Sequence, residues 1–426
     1  MTTHEFKFIH TADIHLDSPL RGLSRYDGAP IDLLRNATRQ AFENLIEIAV
    51  KEKVKFMVIA GDLYDGTWRD FNTGLFFVHQ MGKLREAGIQ VYVLFGNHDA
   101  ESKMTKQLRL PDNVHTFDTK KPETIEYDEV GVALHGQSFK TPDTRDNLAA
   151  TYPAPISGLL NIGVLHTALE GDAEHAHYAP CSLSELVNKG YDYWALGHVH
   201  KQSIRNKDPY VVYSGNLQGR KINETGPKGA ILVSVDDGHI TQVTPVFTDV
   251  ARWVVIEIDA SNAENTFDII EQFQSALETK IAEEADGRML AVRLIIRGRC
   301  PVHSKILAGE DEFTADIRAA AVGLGTDQAW VEKIKVETES NLDPEVLRER
   351  EDALGQLQDM LCHAAEDDEL ISKLKEEMEA LIAKLPAEVR DSAEDGLLKA
   401  AKDNRMEKII AEASELAISK VLGAGN

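Results

Sequence analysis

From Phe6 to about residue 250, short apolar runs alternate with longer stretches whose apolar residues recur at helical spacing. This is the pattern of a layered α/β domain. Strands are expected at residues 6–10, 56–60, 90–95, 131–135, 161–165, 193–196, 210–213 and 230–235. Between the first two, Leu34, Phe42, Leu45, Ile46 and Ala49 mark one face of a helix over 31–51. Polar turn residues follow nearly every strand. A second pattern runs from Arg252 to about Thr338: strand 253–258, helix 266–285, strand 290–297, helix 314–322 and strand 330–336. That order suggests a small separate α/β domain. Beyond the Asn341-Leu-Asp-Pro turn nothing strand-like remains. Leu347, Leu354, Leu357 and Leu361, then Leu370, Leu374, Leu381 and Leu385, form stripes at helical intervals, so the tail is expected to be amphipathic helices divided near Pro386. The expected organisation is a large α/β domain at 1–250, a small α/β capping domain at 251–340 and a helical C-terminal region at 341–426, whose stripes suit either docking of a partner or packing against the cap.

Composition narrows the setting. No run of about 18 apolar residues occurs, so a membrane-spanning helix is not expected. The opening MTTHEFKFIHTADIHL lacks the apolar stretch of a signal peptide. Cys181, Cys300 and Cys362 lie far apart and form no C-x-x-C pair, which argues against a disulfide framework or a thiolate zinc site. A reducing cytoplasm is the expected compartment. The net charge of −24 repels a polyanion over most of the surface, so any nucleic-acid contact must be local. The acidity is uneven: residues 1–250 carry 25 basic and 32 acidic side chains, and 251–426 carry 21 and 38.

Five clusters of metal-type ligands each follow an expected strand: Asp13-Ile-His15, Gly61-Asp62, Gly96-Asn97-His98-Asp99, Leu165-His166 and Gly197-His198-Val199-His200. Loops at the carboxyl ends of strands converge on one edge of an α/β sheet, so ligands far apart in sequence can meet there. In an extended segment residues i and i+2 point the same way, which lets D-x-H and H-x-H pairs reach one centre. Asp, Asn and His without Cys suit divalent Mn, Fe or Zn. A carboxylate such as Asp62 can bridge two ions, and the number of ligands suits two metals. Each cluster alone could be an ordinary turn, because Gly, Asn and Asp favour turns. Five turns that all supply compatible ligands after strands argue for a shared centre.

The ordered set D-x-H, G-D, G-N-H-D, H and G-H-x-H resembles the signature of the calcineurin-like metallophosphoesterases, over residues 1 to about 250. HTADIHLDSPL, GDLYD and GNHD are similar to the SbcD-type DNA repair exonucleases. GHVHKQS, SGNLQGR and LHTALEG followed by APCSL are similar to the bacterial YhaO-type branch. The resemblance implies a layered calcineurin-like metallophosphoesterase sandwich, with the small cap and helical tail added. It further implies one metal on Asp13, His15, Asp62 and His200, and another on Asp62, Asn97, His166 and His198. His98 would contact the scissile phosphate or its leaving oxygen, with Asp99 orienting its ring. At Asp65, archaeal and eukaryotic relatives carry histidine and the bacterial form carries Asp.

The chemistry expected of such a centre is phosphodiester hydrolysis by a water whose pKa two divalent ions lower. Mn²⁺ is the expected ion, with Fe²⁺ or Zn²⁺ as alternatives. No serine or cysteine nucleophile with a supporting base is seen. Lys201, Arg205, Lys207, Arg220 and Lys221 flank the last motif and are candidates for holding a DNA backbone. Arg293, Arg297 and Arg299 are weaker candidates of the same kind. His175 and His177 lie in a polar loop that could overhang the site, although a solvated loop is the simpler reading.

Three functions compete. The leading one is a DNA exonuclease or endonuclease subunit, for which the resemblance implies an SbcC-like coiled-coil ATPase docked on the C-terminal helices, with a homodimer as a further assembly. The second is a phosphatase or phosphodiesterase acting on nucleotides or small phosphoesters, since fold and metals alone do not select a substrate. The third is a catalytically silent scaffold, against which every proposed ligand is present.

Overall fold

The computed structural model describes residues 5–18, 30–65, 71–101, 109–169, 178–364, 367–385 and 396–423. Its first compact unit is built on residues up to Val254, joined by Ile281–Val292 and Asp327–Glu332. In chain order it contains β1 (Phe6–Thr11), α1 (Ile31–Lys51), β2 (Phe56–Ala60), α2 (Phe71–Glu86), β3 (Gln90–Leu94), α3 (Asn97–Glu101), β4 (Val114–Thr116), β5 (Glu123–Tyr127) and β6 (Val132–Gly136). It continues through β7 (Leu160–His166), α4 (Leu183–Asn188), β8 (Tyr193–Gly197), β9 (Ser203–Lys207), β10 (Tyr210–Tyr213), β11 (Gly229–Asp236) and β12 (His239–Phe247).

Two six-stranded sheets result, in the orders β12-β11-β1-β2-β3-β4 and β5-β6-β7-β8-β10-β9. Strand β2 shows why they stack. Phe56, Val58 and Ala60 point to the core between the sheets, where Leu134, Ile162, Val164 and Tyr193 of the second sheet meet them. Met57 and Ile59 point the other way, onto Phe42 and Leu45 of α1 and Phe77 of α2. Both faces are covered, so the strand is apolar throughout, as buried parallel strands are. Helix α1 follows its own pattern: Leu34, Ala37, Thr38, Ala41, Phe42, Leu45, Ile46 and Ala49 are its buried residues. The second sheet is closed on its outer side by a cluster that includes Trp194, Tyr152, Tyr191 and Leu186. The unit is a four-layer α/β sandwich.

Strands β1-β2-β3 run parallel to one another, as do β6-β7-β8. Their carboxyl ends are where the ligand clusters lie. The strands that sequence pattern did not mark, β4, β5, β9 and β12, sit at sheet edges and are partly exposed, which removes the apolar signal.

The remaining strands are β13 (Ala251–Asp259), β14 (Met289–Cys300) and β15 (Ala329–Ser340), in sheet order β13-β14-β15. Their first residues belong to the first unit, where Ala251, Trp253, Ala291 and Trp330 pack with Leu34 of α1. The second unit comprises Val255–Lys280, Arg293–Thr326 and Lys333 onward. Helices α5 (Thr266–Lys280), α6 (His303–Ala308) and α7 (Glu310–Gly323) belong to it. So do α8 (Pro344–Arg348), α9 (Ala353–Ala364), α10 (Asp368–Lys384), α11 (Leu397–Lys402) and α12 (Met406–Gly423). Helix α12 lies against α6, where buried His303 meets Glu415 at 3.0 Å. The tail therefore groups with the small sheet's helices in one unit. The Pro386 division expected from sequence lies outside the described residues. Among the described residues, no helix is long and apolar enough to cross a membrane.

Candidate metal centre

Asp13 and His15 follow β1, Asp62 follows β2, Asn97 and His98 open α3 after β3, His166 ends β7, and His198 and His200 follow β8. The first two loops are zipped together, with the amides of Asp13 and His15 donating to the carbonyls of Gly61 and Asp62 at 3.0 Å each. The D-x-H pair does not converge by strand pleat, as expected from sequence. Asp13, His15, Asp62 and His198 instead hold φ of 49°, 46°, 51° and 97°. Positive φ is uncommon for side-chain-bearing residues and clusters at functional sites. Left-handed turns, not extended backbone, aim these side chains inward. The sheets also approach closely here. A Cβ on Gly96 would overlap Asp62 Oδ1, and one on Gly197 would overlap the Ala60 carbonyl oxygen, which explains glycine in both motifs.

Three sets of ligand atoms lie within 4.8 Å of one another: Asp13, His15 and His200; His15, Asp62 and His98; and Asp13, Asp62 and His166. Asp13, His15, Asp62 and His166 are buried. Asn97 joins the last set, its Oδ1 3.0 Å from His166 Nε2. The backbone N–H of His198 donates to the Asp13 carboxylate at 2.9 Å, and its ring lies edge-on to His166 with centroids 5.2 Å apart.

Whether this set suits a metal can be read from its hydrogen bonds. His166 Nδ1 is 2.9 Å from the Ala60 carbonyl, to which it must donate, so in neutral imidazole Nε2 carries a lone pair. That lone pair faces Asn97 Oδ1 and Asp62 Oδ2, the latter at 3.4 Å. His200 Nδ1 likewise meets Glu224 Oε1 at 2.8 Å, and its Nε2 faces His15 Nε2 at 3.2 Å. His15 Nδ1 is buried without a hydrogen-bond partner. Acceptors facing acceptors call for a cation between them. The residues fit divalent ions bound by N and O donors. The electrostatics favour positive charge at that place: burial opposes charge on His166, yet Asp62 and Asp13 raise its pKa to about 9, so without a metal a proton on Nε2 takes the cation's position. Burial acts against the Asp62 carboxylate, but His166, His15 and His98 hold it far below its usual range. Burial pushes Asp13 up, offset in part by His200 and His166.

The carboxylate beside His98 is not that of Asp99. His98 Nδ1 lies 3.2 Å from Asp65 Oδ1, a contact that raises the ring's pKa. Asp99 turns to the backbone and accepts from Leu63, Tyr64 and Gly96 at 3.2, 2.9 and 3.0 Å. It ties the second and third motif loops together, and burial with the nearby Asp62 charge pushes it up to about 7. The orienting role expected of Asp99 thus falls to Asp65. The geometry supplies the reason: a side chain adjacent to His98 on the same helical turn leaves in another direction, while residue 65 comes from the facing loop.

Glu224, the buried partner of His200, was not marked by the sequence. It sits in a polar-looking loop with no characteristic spacing to the H-x-H motif. Among the basic candidates, Lys201, Lys221, Arg205 and Lys207 are exposed, the last two on edge strand β9. Arg220 is different: its side chain is 17% exposed and ion-paired inside the centre with Asp65 and Glu224. In the second unit Arg297 is held by Glu257 and Glu337, and Arg299 by Glu339, so their charges are neutralised locally. His175 and His177 lie outside the described residues.

A four-layer sandwich whose parallel strands deliver Asp, Asn and His to one buried centre is the architecture of a metal-dependent phosphoesterase. Residues 6–202 match the family described as calcineurin-like phosphoesterase, and residues 253–339 match the middle domain of metallophosphoesterase YhaO. The chain belongs to the calcineurin-like metallophosphoesterases and is YhaO-like. It is 36% identical over 304 residues to a Bacillus subtilis (strain 168) protein described as uncharacterized metallophosphoesterase YhaO, covering 70% of this chain and 73% of that one. It is 26% identical over 222 residues to the DNA double-strand break repair protein Mre11 of Methanopyrus kandleri, covering 47% of this chain and 46% of that one. A dimetal phosphatase from Danio rerio aligns with 13% identity and a TM-score of 0.32, covering 57% of this chain and 99% of the other.

Proposed function

We propose that this chain is a metal-dependent nuclease subunit that hydrolyses DNA phosphodiester bonds in repair, in the cytoplasm, with an SbcC-like coiled-coil ATPase as partner. The observation that carries the reading is the buried Asp/Asn/His set with His98, 39% exposed at its side chain, beside it and open to a substrate. Divalent ions held there, Mn²⁺ first and Fe²⁺ or Zn²⁺ as alternatives, would lower the pKa of a water and neutralise phosphate charge. Asp13, His15, Asp62 and His200 would hold one, and Asp62, Asn97, His166 and His198 the other. His98, with Asp65 on Nδ1, keeps Nε2 for the phosphate or the leaving sugar oxygen. Because Asp65 favours the charged ring, His98 can bring a proton to that oxygen. The likeness to a DNA double-strand break repair protein supports DNA as substrate. Exposed Lys201 and Lys221 supply local positive charge in a chain of net charge −24.

The test is incubation of the full chain and Mn²⁺ with labelled single-stranded, blunt and hairpin DNA beside a nucleotide panel. DNA cleavage supports the reading. Hydrolysis of nucleotides with intact DNA replaces it with a small-phosphoester phosphodiesterase, and inertness toward both replaces it with a scaffold.

The partner reading is supported by α10, where Ile371, Leu374, Met378 and Ile382 pack toward Ala400 and Met406 while Leu370 and Leu381 stay exposed. Such a stripe suits helix-in-groove docking. Leu370→Glu combined with Leu381→Glu in the full chain should abolish co-purification with the coiled-coil ATPase. Retained co-purification refutes docking through α10.

A further inference from the structure

Arg220 stands where two polar clusters of the centre meet. Its Nη1 donates to Ser18 Oγ at 3.0 Å and lies 3.6 Å from Asp65 Oδ2. Its Nη2 lies 3.7 Å from Glu224 Oε1, and its backbone N–H donates to Glu224 Oε2 at 2.7 Å. Each carboxylate has a histidine on its other side. Asp65, which also accepts from Ser18 Oγ at 2.6 Å, faces His98 Nδ1. Glu224, which also accepts from Asn216 Nδ2 at 3.0 Å, faces His200 Nδ1. One guanidinium therefore connects the support of His98 to the support of His200.

The backbone around Arg220 is fixed independently. Trp253 Nε1 donates to the Gly219 carbonyl at 2.9 Å, and a Cβ on Gly219 would press on the Trp253 ring and the Glu224 carbonyl oxygen. The Arg220 side chain is mostly buried, and its Nε is buried without a hydrogen-bond partner. A cation so enclosed, with a carboxylate on each side, is already neutralised and poorly disposed to grip an incoming phosphate. The rigid planar fork of a guanidinium can hold two carboxylates in one fixed geometry, which the compact ammonium on lysine's flexible stem does not reproduce.

We propose that Arg220 is a positioning residue of the phosphoester-cleaving centre, tying the carboxylate that holds His98 to the carboxylate that holds His200. The proposal rests on the reading of that centre as a metal-dependent phosphoesterase. Partners behind metal-binding histidines are typically worth about 10–100-fold in metal affinity or activity.

The test uses the full chain as wild type, Arg220→Ala, Arg220→Lys, Asp65→Asn and the Arg220→Ala/Asp65→Asn double variant. Mn²⁺ affinity is measured by calorimetry, and kcat and KM are measured on bis(p-nitrophenyl) phosphate. For Arg220→Ala the expected result is Mn²⁺ affinity and kcat each reduced about 10–100-fold, with KM within about twofold. Arg220→Lys should recover little, and the double variant should lose no more kcat than its worse single. If Arg220→Ala does not fold, Arg220→Lys carries the same comparison with the charge retained. A raised KM with unchanged kcat and Mn²⁺ affinity would mean that Arg220 grips substrate directly, and no change in any quantity would leave it without a role. Either result overturns the proposal. A wild type that binds Mn²⁺ yet cleaves no phosphoester defeats the underlying reading instead, and the Mn²⁺ affinities then still decide whether Arg220 acts on His200.

Discussion

Arg297 and Arg220 each stand between two carboxylates. Arg297 on β14 reaches Glu257 and Glu337 at 3.0 Å each, and Arg220 reaches Asp65 and Glu224 at 3.6 and 3.7 Å. By distance the first arrangement is the tighter. By setting it is the weaker, because Arg297 is 52% exposed and Arg220 17%. A charge pair open to solvent is screened by water and salt, whereas a buried or partly buried pair is screened much less. Exposed pairs also spend side-chain entropy to hold their geometry. Position in the fold, not contact length, decides which arginine matters. Burial also means that each neighbour of Arg220 is held by something else: Ser18 on Asp65, Asn216 on Glu224.

If the buried network supports catalysis, the largest effect belongs to the residue at its open end. His98→Ala should lower phosphodiester hydrolysis by about 10²–10⁴-fold and leave metal content unchanged. Metal analysis after dialysis decides the point: loss of an ion would make His98 a ligand, since its ring also lies in the set with His15 and Asp62. Next comes Glu224→Ala, which removes the acceptor from His200 Nδ1 and should weaken Mn²⁺ binding about 10–100-fold, measured by calorimetry.

A third test concerns a histidine buried without a charge partner. His10 lies in the core, bonded to the Tyr193 hydroxyl at 3.0 Å and the Leu196 carbonyl at 3.1 Å, and burial pushes its pKa down to about 3. Below its ordinary pKa of 6.5 the unfolded chain takes up a proton that the folded chain refuses. Its contribution to stability is therefore intact above pH 6.5 and is lost as pH falls toward 3. Between pH 6.5 and 5, metal-free wild type should lose about 2 kcal/mol more than His10→Gln in urea unfolding. Equal losses would show that His10 is protonated in the fold. The smallest effect is expected at the exposed network: Arg297→Ala should leave the melting temperature within about 2 °C of wild type. A larger drop would erase the contrast between the two arginines.

Much of the first unit was legible because its central strands are buried on both faces. Residues 56–60 could be nothing but apolar, and the periodic face of α1 spelled out its contact with the sheet. Edge strands β9 and β12 were illegible, since half-solvated strands have no apolar run to notice. The ligand clusters were visible because each is contiguous: D-x-H, G-N-H and G-H-x-H place donors within three residues of one another.

What lies behind those donors was set by tertiary structure. Asp65 rather than Asp99 beside His98, Glu224 behind His200 and Arg220 between them join segments separated by 33, 24 and 155 residues, with no periodicity to announce them. The D-x-H pair likewise meets through left-handed turns that neighbouring loops impose. Sequence by itself determined which groups could bind metal, because donor chemistry belongs to a side chain wherever it sits. It determined the layered fold too, because the apolar periods are local. Only the tertiary structure decided each donor's partner, proton and exposure, because those depend on what the folded chain brings from far away into a space that water does not reach.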